Sequence, residues 1–334
     1  MGDASMEAPV PMFHEPVMVN EVLDYLQPVL SRGTIIDATV GGGGHARAIL
    51  ERLAGLATAS AGAAAGRLLG LDIDPDAIGA AQKVLNEFGC KVADGKDIET
   101  GKADDNRLRC GPMVWLVHAS YTGMAEIAQT LGLLPVAAVL FDFGVSGFQL
   151  EEARRGFSFD REGPVDMRFD QSSNRPTALS LLSKASEGEL WRWFSEYGQE
   201  PMSKRIARRI HEQRSKIRTT RDLAEMVRSA VPARRARKAL ARVFQALRIV
   251  TNRELENVRQ GIQAALGLVA AGGRVLVISY HSGEDRIAKE LFRTGRQTGR
   301  LRVLTPRLVR PTVEEVLKNP RSRSARLRVV EVLA

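Results

Sequence analysis

Cysteine is nearly absent from this chain of 334 residues, which contains only Cys90 and Cys110. Two cysteines give no disulfide framework, so we expect a reducing compartment, the cytoplasm. No uninterrupted apolar run approaches the ~18 residues of a membrane span, so we expect no membrane contact. The first dozen residues lack Lys, Arg and an apolar core. We therefore expect a flexible N-terminus at residues 1–12 rather than a signal peptide.

The excess of positive charge is confined to one segment. The net charge is +9, but between Met202 and Arg242 there are fourteen Lys or Arg residues against three Asp or Glu residues. The rest of the chain is therefore close to neutral. A run of this kind is either a solvated helix face or a surface that binds a polyanion, because clustered cations gain affinity from phosphate contacts and counterion release.

Short apolar runs bounded by turn residues predict buried parallel strands. Each of the first four runs is followed by a loop and a helical pattern, which predicts a mostly parallel, doubly wound α/β sheet. The predicted strands are Thr34–Ala38, Leu68–Asp72, Val114–His118, Val136–Asp142 and Arg274–Ser279. Two further extended segments, 301–304 and 327–332, would complete the sheet at its edge.

Two segments interrupt this alternation. Residues 89–112 are polar and Gly-rich, which indicates a surface insertion. From about residue 177 to 246 the pattern is helical, with no strand. We therefore predict a discontinuous sheet domain, residues 13–155 and 245–334, that carries an inserted helical domain at residues 156–244.

The run IIDATVGGGGH (35–45) places four glycines after the first predicted strand. It fits the dinucleotide pattern G-x-G-x-x-[GA], which alone is a weak signal. Asp72 ends the second strand, where an acid accepts hydrogen bonds from ribose hydroxyls, and both NAD and S-adenosylmethionine (SAM) carry that ribose. Asp37, four residues before Gly41, would repel a pyrophosphate but suits the ammonium group of SAM. The spacing from Gly44 to Asp72 also exceeds the ~20 residues of the dinucleotide fingerprint, so the loop favours SAM.

Asp142 ends the fourth predicted strand, at the edge where open α/β sheets bind ligands. It could cap the next turn or accept hydrogen bonds from an exocyclic amino group. An aromatic amine is a poor nucleophile, so an acceptor that aligns its N–H bonds would help methyl transfer. Methylation at a ring carbon would need a cysteine nucleophile, and both cysteines lie in or beside the polar insertion. The five histidines show no zinc-ligand spacing, so no metal is expected.

Eight blocks in this sequence resemble one family, the bacterial ribosomal RNA small-subunit methyltransferase H family (RsmH, also called MraW). They occur in the family's order and span residues 14 to 328. The blocks are HEPV (14–17), DATVGGGGH (37–45), LDIDPDAI (71–78), DFGVSGFQL (142–150), RGFSFDREGPVDMRFD (155–170), RVFQALRIVTNREL (242–255), GGRVLVISYHSGEDRI (272–287) and NPRSRSARLR (319–328). The chain departs from the family pattern at Gly147-Phe148 and at Gly283, and its polar insertion is longer.

The resemblance implies a class I SAM-dependent methyltransferase fold, Rossmann-like, with an inserted all-helical domain that faces RNA. It implies N4-methylation of one cytidine in the decoding region of small-subunit (16S) rRNA, with SAM as cofactor. The residues that match the family's cofactor contacts are Gly43, Gly44, His45, Asp72, Tyr121, Asp142 and Gln149. Asp37, four residues before the glycines, and Gly41, the first of them, are also predicted to contact the cofactor. Asp142 would serve the cofactor, the target amine or both.

The segment that follows the Asp142 strand contains four candidate substrate contacts: Phe157, Phe159, Asp166 and Arg168. The aromatic rings could stack a splayed-out cytosine, as RNA-modifying enzymes commonly do, or pack the insertion against the sheet.

His281 and Ser282 follow the fifth predicted strand and would face the same cleft. As capping residues of the next helix they need no further role. The resemblance makes them candidate catalytic residues.

The basic segment is predicted to contact rRNA phosphates, which position an enzyme without specifying the base. Its cations that share one helix face are Lys204, Arg205, Arg208 and Arg209. Three aromatic residues before it are predicted to form the core of the helical domain: Trp191, Trp193 and Phe194.

Three alternatives remain open: an amino-methyltransferase for another nucleic acid, a NAD-linked dehydrogenase, and a non-catalytic RNA-binding assembly factor. Asp37 disfavours the dehydrogenase. Absence of a (D/N/S)-P-P-(F/Y/W) motif, which DNA amino-methyltransferases carry, disfavours DNA as substrate. We expect the partner to be small-subunit rRNA within the assembled 30S subunit, and both a monomer and a homodimer are compatible with the sequence.

Overall fold

A mixed sheet organises the chain in a computed structural model, which describes residues 16–59, 66–86 and 113–334. Its strands are β1 Thr34–Asp37, β2 Arg67–Asp72, β3 Met113–His118, β4 Val136–Asp142, β5 Val269–Ser279, β6 Leu301–Val303 and β7 Arg326–Val332. Within these residues the strand order is β3-β2-β1-β4-β5-β7-β6. Strands β1 to β5 are parallel, and β7 runs antiparallel to both β5 and β6. The predicted mostly parallel α/β sheet is confirmed.

Helices pack on both faces of the sheet and form a separate group between β4 and β5. The helices before β5 are α1 Val19–Leu26, α2 Gly44–Ala59, α3 Pro75–Leu85, α4 Met124–Thr130, α5 Gly147–Glu151, α6 Ala178–Lys184, α7 Glu187–Arg192, α8 Ser203–Gln213, α9 Thr220–Ala230, α10 Ala233–Asn252 and α11 Glu254–Leu268. After β5 come α12 Ser282–Gln297 and α13 Val313–Lys318. None of the described helices is long and apolar enough to cross a membrane.

The strands are apolar on both faces because helices cover both. Ile35 and Leu68 belong to one hydrophobic cluster, while the next residues along the two strands, Ile36 and Leu69, belong to another. Side chains alternate between faces in a strand, so uninterrupted apolar runs are what a doubly covered sheet requires.

One predicted strand boundary is wrong. β5 begins at Val269 rather than Arg274, because Val136 pairs with Val269 and Ala138 then pairs with Arg274. The residues between form an irregularity that contains Gly272 with φ of 79°. The sequence AAGG (270–273) indicates a turn, so the start of β5 at Val269, before this turn, was not predicted as strand. The predicted insertion at 89–112 and the N-terminus at 1–12 lie outside the described residues.

A third hydrophobic cluster, from Phe157 to Leu247, forms the core of the helical group. Helix α10 passes through residue 244 without a break, so the predicted domain boundary at 244 falls inside a helix. The division into two domains remains a prediction. Phe194 is fully buried and Trp193 packs against this cluster. The prediction for Trp191 is wrong: its side chain is 43% exposed, and the Lys204 ammonium lies 4.9 Å from its ring centroid.

A buried ion pair joins the end of β2 to the segment that leads into the helical group. Arg155 donates to Asp74 Oδ1 at 3.1 Å and to Oδ2 at 2.7 Å, and both side chains are buried. The Arg155 guanidinium also donates to the backbone oxygen of Phe169 at 2.7 Å and to Asp76 at 2.9 Å. Gln149 donates to Asp74 at 2.6 Å. Buried charges are tolerated when they are paired in this way, and Arg155 Nε is the one guanidinium nitrogen without a hydrogen-bond partner.

Replacing Arg155 with Met is expected to lower the free energy of unfolding by about 3–5 kcal/mol, because it leaves the Asp74 carboxylate buried without its cation. Arg154 is the matched control: it pairs with Asp76 at 2.9 Å but is 55% exposed, so Arg154→Met should cost less than about 1 kcal/mol. Denaturant unfolding of both variants measures the difference. Equal losses would contradict a structural role for the buried pair.

Candidate active site

A cavity of about 560 Å³ opens at the carboxyl ends of the central strands. The chain runs outward from β1 to β3 and returns to β4, so strand order reverses between β1 and β4. Such a reversal leaves a crevice where open α/β sheets bind ligands. Loops after β1, β2, β4 and β5 each contribute to the wall, with Gly41, Asp72, Asp142 and Tyr280 among them.

The glycine loop presents bare backbone to this cavity. Gly41, Gly42 and Gly44 line the wall, whereas Gly43 does not. Gly43 has φ of 85°, in the left-handed region that side chains rarely adopt. A Cβ on Gly44 would lie 2.9 Å from the ring of Pro16. The loop can therefore keep this shape only with glycine, and it leaves room for a ligand to approach the main chain.

Asp72 is placed where an acceptor for ligand hydroxyl groups was predicted. Its Oδ2 accepts from the Gly41 backbone N–H at 3.0 Å, and its Oδ1 accepts from the Asp74 N–H at 2.9 Å. A carboxylate has about four acceptor positions, so both oxygens retain capacity. Burial raises the pKa of Asp72 to about 6.

Asp37 is the last residue of β1, just before the glycine loop, and does not line the cavity. It is 1% exposed. Its Oδ1 accepts from the Thr39 N–H at 3.3 Å, while its Oδ2 is buried without a hydrogen-bond partner. Burial raises the pKa of Asp37 to about 7. Direct contact between Asp37 and a ligand cation stays a prediction; positive charge brought near this carboxyl would favour its ionised form.

Asp142 projects into the cavity between two side chains. Tyr280 donates its hydroxyl hydrogen to Oδ1 at 2.8 Å, and His45 Nδ1 lies 3.7 Å from Oδ2. The other ring nitrogen, His45 Nε2, lies 2.9 Å from the backbone oxygen of Val17. A carbonyl only accepts, so Nε2 carries a proton and Nδ1 is the ring nitrogen that faces Asp142. The Asp142 backbone N–H donates to Thr39 Oγ1 at 2.7 Å.

Tyr121 and Gln149 also line the cavity, as predicted for cofactor contacts. The Tyr121 ring packs on Phe141 and Phe143, with centroids 5.6 and 5.8 Å apart, and burial raises the pKa of its hydroxyl well above the usual value. The Gln149 side-chain oxygen accepts from the Ser146 N–H at 2.9 Å, and its amide donates to Asp74. Gln149 therefore supports the wall as well as forming part of it.

The predicted stacking rings are not in the cavity. Phe157 is buried and stacks on Phe169 at 5.5 Å between centroids, and Phe159 packs edge-on against Phe244. Phe169, which the sequence analysis missed, does line the cavity. The alternative interpretation, that Phe157 and Phe159 pack the insertion, fits their positions.

Asp166 and Arg168 form a short ion pair that shapes the same segment. Arg168 Nε donates to Asp166 Oδ1 at 2.7 Å, and its Nη1 donates to the backbone oxygen of Ser173 at 2.6 Å. Burial alone would raise the pKa of Asp166, but the Arg168 hydrogen bonds bring it below the ordinary value. Arg168 lines the cavity and Asp166 does not.

His281 and Ser282 lie outside the cavity wall, and Tyr280 and Glu284 line it instead. His281 caps α12, where its Nδ1 accepts from the backbone N–H groups of Gly283 and Glu284. Ser282 Oγ accepts from Gln199 at 2.6 Å. The structure therefore supports the capping interpretation of His281.

Two buried carboxylates face the other half of the cavity, and each lies beside a nitrogen-bearing side chain. Arg248 donates to both oxygens of Glu254, at 2.8 and 2.9 Å. His281 Nε2 lies 3.1 Å from Glu284. Burial opposes ionisation of Glu284, but His281 and Arg248 lower its pKa below the ordinary value. Glu254, His281 and Glu284 lie close enough together to hold a metal ion, but Arg248 already neutralises Glu254.

The four predicted cations of the basic segment lie on one face of α8, opposite its buried Ile206 and Ile210. They are Lys204, Arg205 and Arg208, which are exposed, and Arg209, which is partly buried. None of them lines the cavity. Exposed cations also occupy the first turns of α10, at Arg234, Arg235, Arg237 and Lys238.

Comparison with known proteins gives one consistent result. A model of the MraW methylase family matches residues 11–333. The chain is 43% identical over 327 residues to ribosomal RNA small subunit methyltransferase H of Thermotoga neapolitana, covering 96% of each chain. It is 39% identical over 348 residues to the protein of that name from Thermomicrobium roseum, covering 99% of this chain and 97% of the other. A solved rRNA methylase from Streptococcus thermophilus aligns with 99% of this chain and all of its own, but at 10% identity and a TM-score of 0.42; this likeness is too low to carry an argument.

Replacing Asp37 with Asn is expected to make stability less dependent on pH. Folded Asp37 holds its proton up to about pH 7, whereas in the unfolded chain it ionises near 3.8. Between these values the folded state binds more protons, so the contribution of Asp37 to the free energy of unfolding falls as pH rises. The melting temperature of Asp37→Asn, relative to the unchanged protein and without SAM, should therefore rise between about pH 5 and pH 8 in calorimetry. If the melting temperatures of the two proteins changed equally with pH, the claim that folded Asp37 keeps its proton up to about pH 7 would be contradicted.

Proposed function

The chain belongs to the MraW methylase family, and we propose that it methylates N4 of one cytidine in the decoding region of small-subunit rRNA. The activity is SAM-dependent methyl transfer, on a class I methyltransferase sheet. The observation that carries the proposal is the position of Asp142. It stands at the end of β4, in the same cavity as the glycine loop, and is held between Tyr280 and His45.

The residues around the glycine loop fit SAM. SAM supplies an electrophilic methyl group on a positively charged sulfur. Asp72 has acceptor capacity for ribose hydroxyls, and the loop leaves open backbone beside Gly41 and Gly42. The unpartnered oxygen of Asp37 favours the positively charged methionine end, and the Tyr121 ring provides an apolar surface for adenine.

Asp142 would align the target amine and take up its proton. The amino group of cytosine gives up one hydrogen when it gains a methyl group, and a carboxylate oxygen is a suitable acceptor. His45 Nδ1, which lies 3.7 Å from Oδ2, would be the next acceptor in line when it carries no proton.

Phe169 is the aromatic residue placed to stack the flipped base. Its ring lines the cavity and has Phe157 stacked behind it. The Arg155 guanidinium holds its backbone oxygen, and its backbone N–H donates to Asn252 Oδ1 at 2.9 Å. A ring held at several points costs little entropy to order when a base binds.

The exposed cations of α8 would contact rRNA phosphates outside the cavity. Their positions fit a role in docking, since phosphate contacts fix register and carry no base information. Specificity for one cytidine would then come from the cavity and from the shape of the RNA, within the assembled 30S subunit in the cytoplasm.

The test of the function uses labelled SAM with small ribosomal subunits from a strain that lacks the gene. Digested RNA is resolved by nucleoside chromatography. We expect label in N4-methylcytidine with the unchanged protein and only trace labelling, measurable at high enzyme concentration, with Asp142→Ala, while both proteins bind S-adenosylhomocysteine (SAH) with affinities that differ by less than about tenfold. Label in another nucleoside would overturn the substrate assignment. Bound SAH without transfer to subunits or to naked rRNA would favour an assembly factor.

Removing three cations from α8, by Lys204→Gln, Arg205→Gln and Arg208→Gln together, should raise KM for subunits at least tenfold and leave kcat unchanged. In a plot of the logarithm of the binding constant against the logarithm of the salt concentration, the slope should become less steep by about 0.7–0.9 for each phosphate that the protein no longer neutralises.

The matched control removes three exposed arginines elsewhere, at Arg293, Arg296 and Arg300. It makes the same change in net charge and should leave KM within about twofold. An equal rise in KM in both triple variants would show a general charge effect and would rule out docking by α8.

A further inference from the structure

The Tyr280 side chain is held at both ends. Its ring packs against Gly144, where an added Cβ would lie 3.2 Å from Tyr280 Cδ2. Its backbone N–H donates to Glu284 at 2.9 Å, and its hydroxyl donates to Asp142 Oδ1 at 2.8 Å. Gly144 has φ of 132°, so the main chain there makes room for the ring at a position where other residues are strained.

The register of the sheet explains this meeting. Asp142 pairs with Ile278 on β5, and the Phe143 N–H donates to the Ile278 oxygen at 3.1 Å. Tyr280 therefore lies two residues beyond the last paired position, level with the loop after β4. His281 and Ser282, one and two residues farther on, are engaged by α12 and Gln199.

We infer that Tyr280 is a positioning residue for methyl transfer: its hydroxyl fixes the Asp142 carboxylate by one oxygen, Oδ1, and so commits Oδ2 to the substrate amine. This inference rests on the proposed function of Asp142. In the step, the amine nitrogen supplies the electron pair of the new N–C bond, the electrons of the breaking S–C bond stay on sulfur, and one N–H proton passes to Oδ2.

Tyr280 is suited to this task because it remains a donor. Burial, followed by the nearby Asp142 carboxylate, raises the pKa of the Tyr280 hydroxyl well above its usual value. The hydroxyl therefore keeps its proton throughout the working range. Without this hydrogen bond, the Asp142 carboxylate could rotate about χ2, because the energy well of this torsion is broad for Asp. The carboxylate would then lose its alignment with the amine.

The test is Tyr280→Phe, which removes one oxygen and keeps the ring against Gly144. We expect kcat to fall about 10- to 100-fold, the range for a lost hydrogen bond to a charged group, with KM for subunits and SAH affinity changed less than about twofold. Tyr25→Phe, at a tyrosine that packs in the sheet core, is the chemical control and should leave all three values unchanged.

A double-mutant cycle separates positioning from a merely structural effect. In an Asp142→Ala background there is no carboxylate to fix, so Tyr280→Phe should cost less than about twofold. A full additional loss in that background would overturn the inference. A fall in SAH affinity as large as the fall in kcat would also overturn it, because Tyr280 would then serve cofactor binding.

Crystal structures with SAH give a readout that does not depend on activity. In Tyr280→Phe the Asp142 carboxylate should leave its position or lose definition, while the ring at 280 stays in place. An unmoved carboxylate, or kcat within about twofold of the unchanged protein, would overturn the inference. If the unchanged protein methylates a different nucleoside, the proposed function fails but the kcat comparison is made on that nucleoside. If it methylates none, the carboxylate position alone decides.

Discussion

The ion pair between Asp74 and Arg155 is the interaction on which the rest of the site depends. Removing two charges from water is costly, and this pair is tolerated because its oxygens and most guanidinium nitrogens have partners. Asp74 belongs to the segment after β2, beside Asp72, while Arg155 leads into the segment that carries Phe169. This one contact therefore joins the part of the cavity wall around the glycine loop to the part formed by the segment that carries Phe169.

The two halves of the cavity differ in how their charge is balanced. Glu254 has Arg248 as its cationic partner, and Glu284 lies against the His281 ring, so both carboxylates of that half have side-chain partners within the protein. Asp37 and Asp72 have only backbone donors within hydrogen-bonding distance, and burial raises the pKa of both. Positive charge that a ligand brings to the glycine-loop half would therefore favour the ionised form of both carboxyls. This agrees with a cofactor whose reactive end is cationic.

Much of the fold could be predicted because the signals are local. Apolar runs and the turns around them located all seven strands, and Asp72 and Asp142 were found because parallel strands end at a common edge. The start of β5 was missed because its AAGG irregularity is specified by pairing with Val136, a residue distant in sequence. Ring positions were harder to predict.

Which aromatic residue faces a cavity depends on packing between distant segments, which a single sequence does not encode locally. Phe157 and Phe169 stack on each other, and only the second faces the cavity. In the same way, the direction of the chain after β5 decides that Tyr280 rather than His281 reaches Asp142. Gly147 and Gly283, where the sequence departs from its family, lie in the first turns of α5 and α12.

Helix α10 has a geometric consequence for what the protein can recognise. It is one unbroken rod of 20 residues, about 30 Å long at 1.5 Å per residue. Its first turns carry exposed arginines, and its last residue, Asn252, lines the cavity. A single nucleotide cannot reach both ends of such a rod. A ligand that fills the cavity and also neutralises the far end of the helix must itself be a polyanion that extends over about 30 Å.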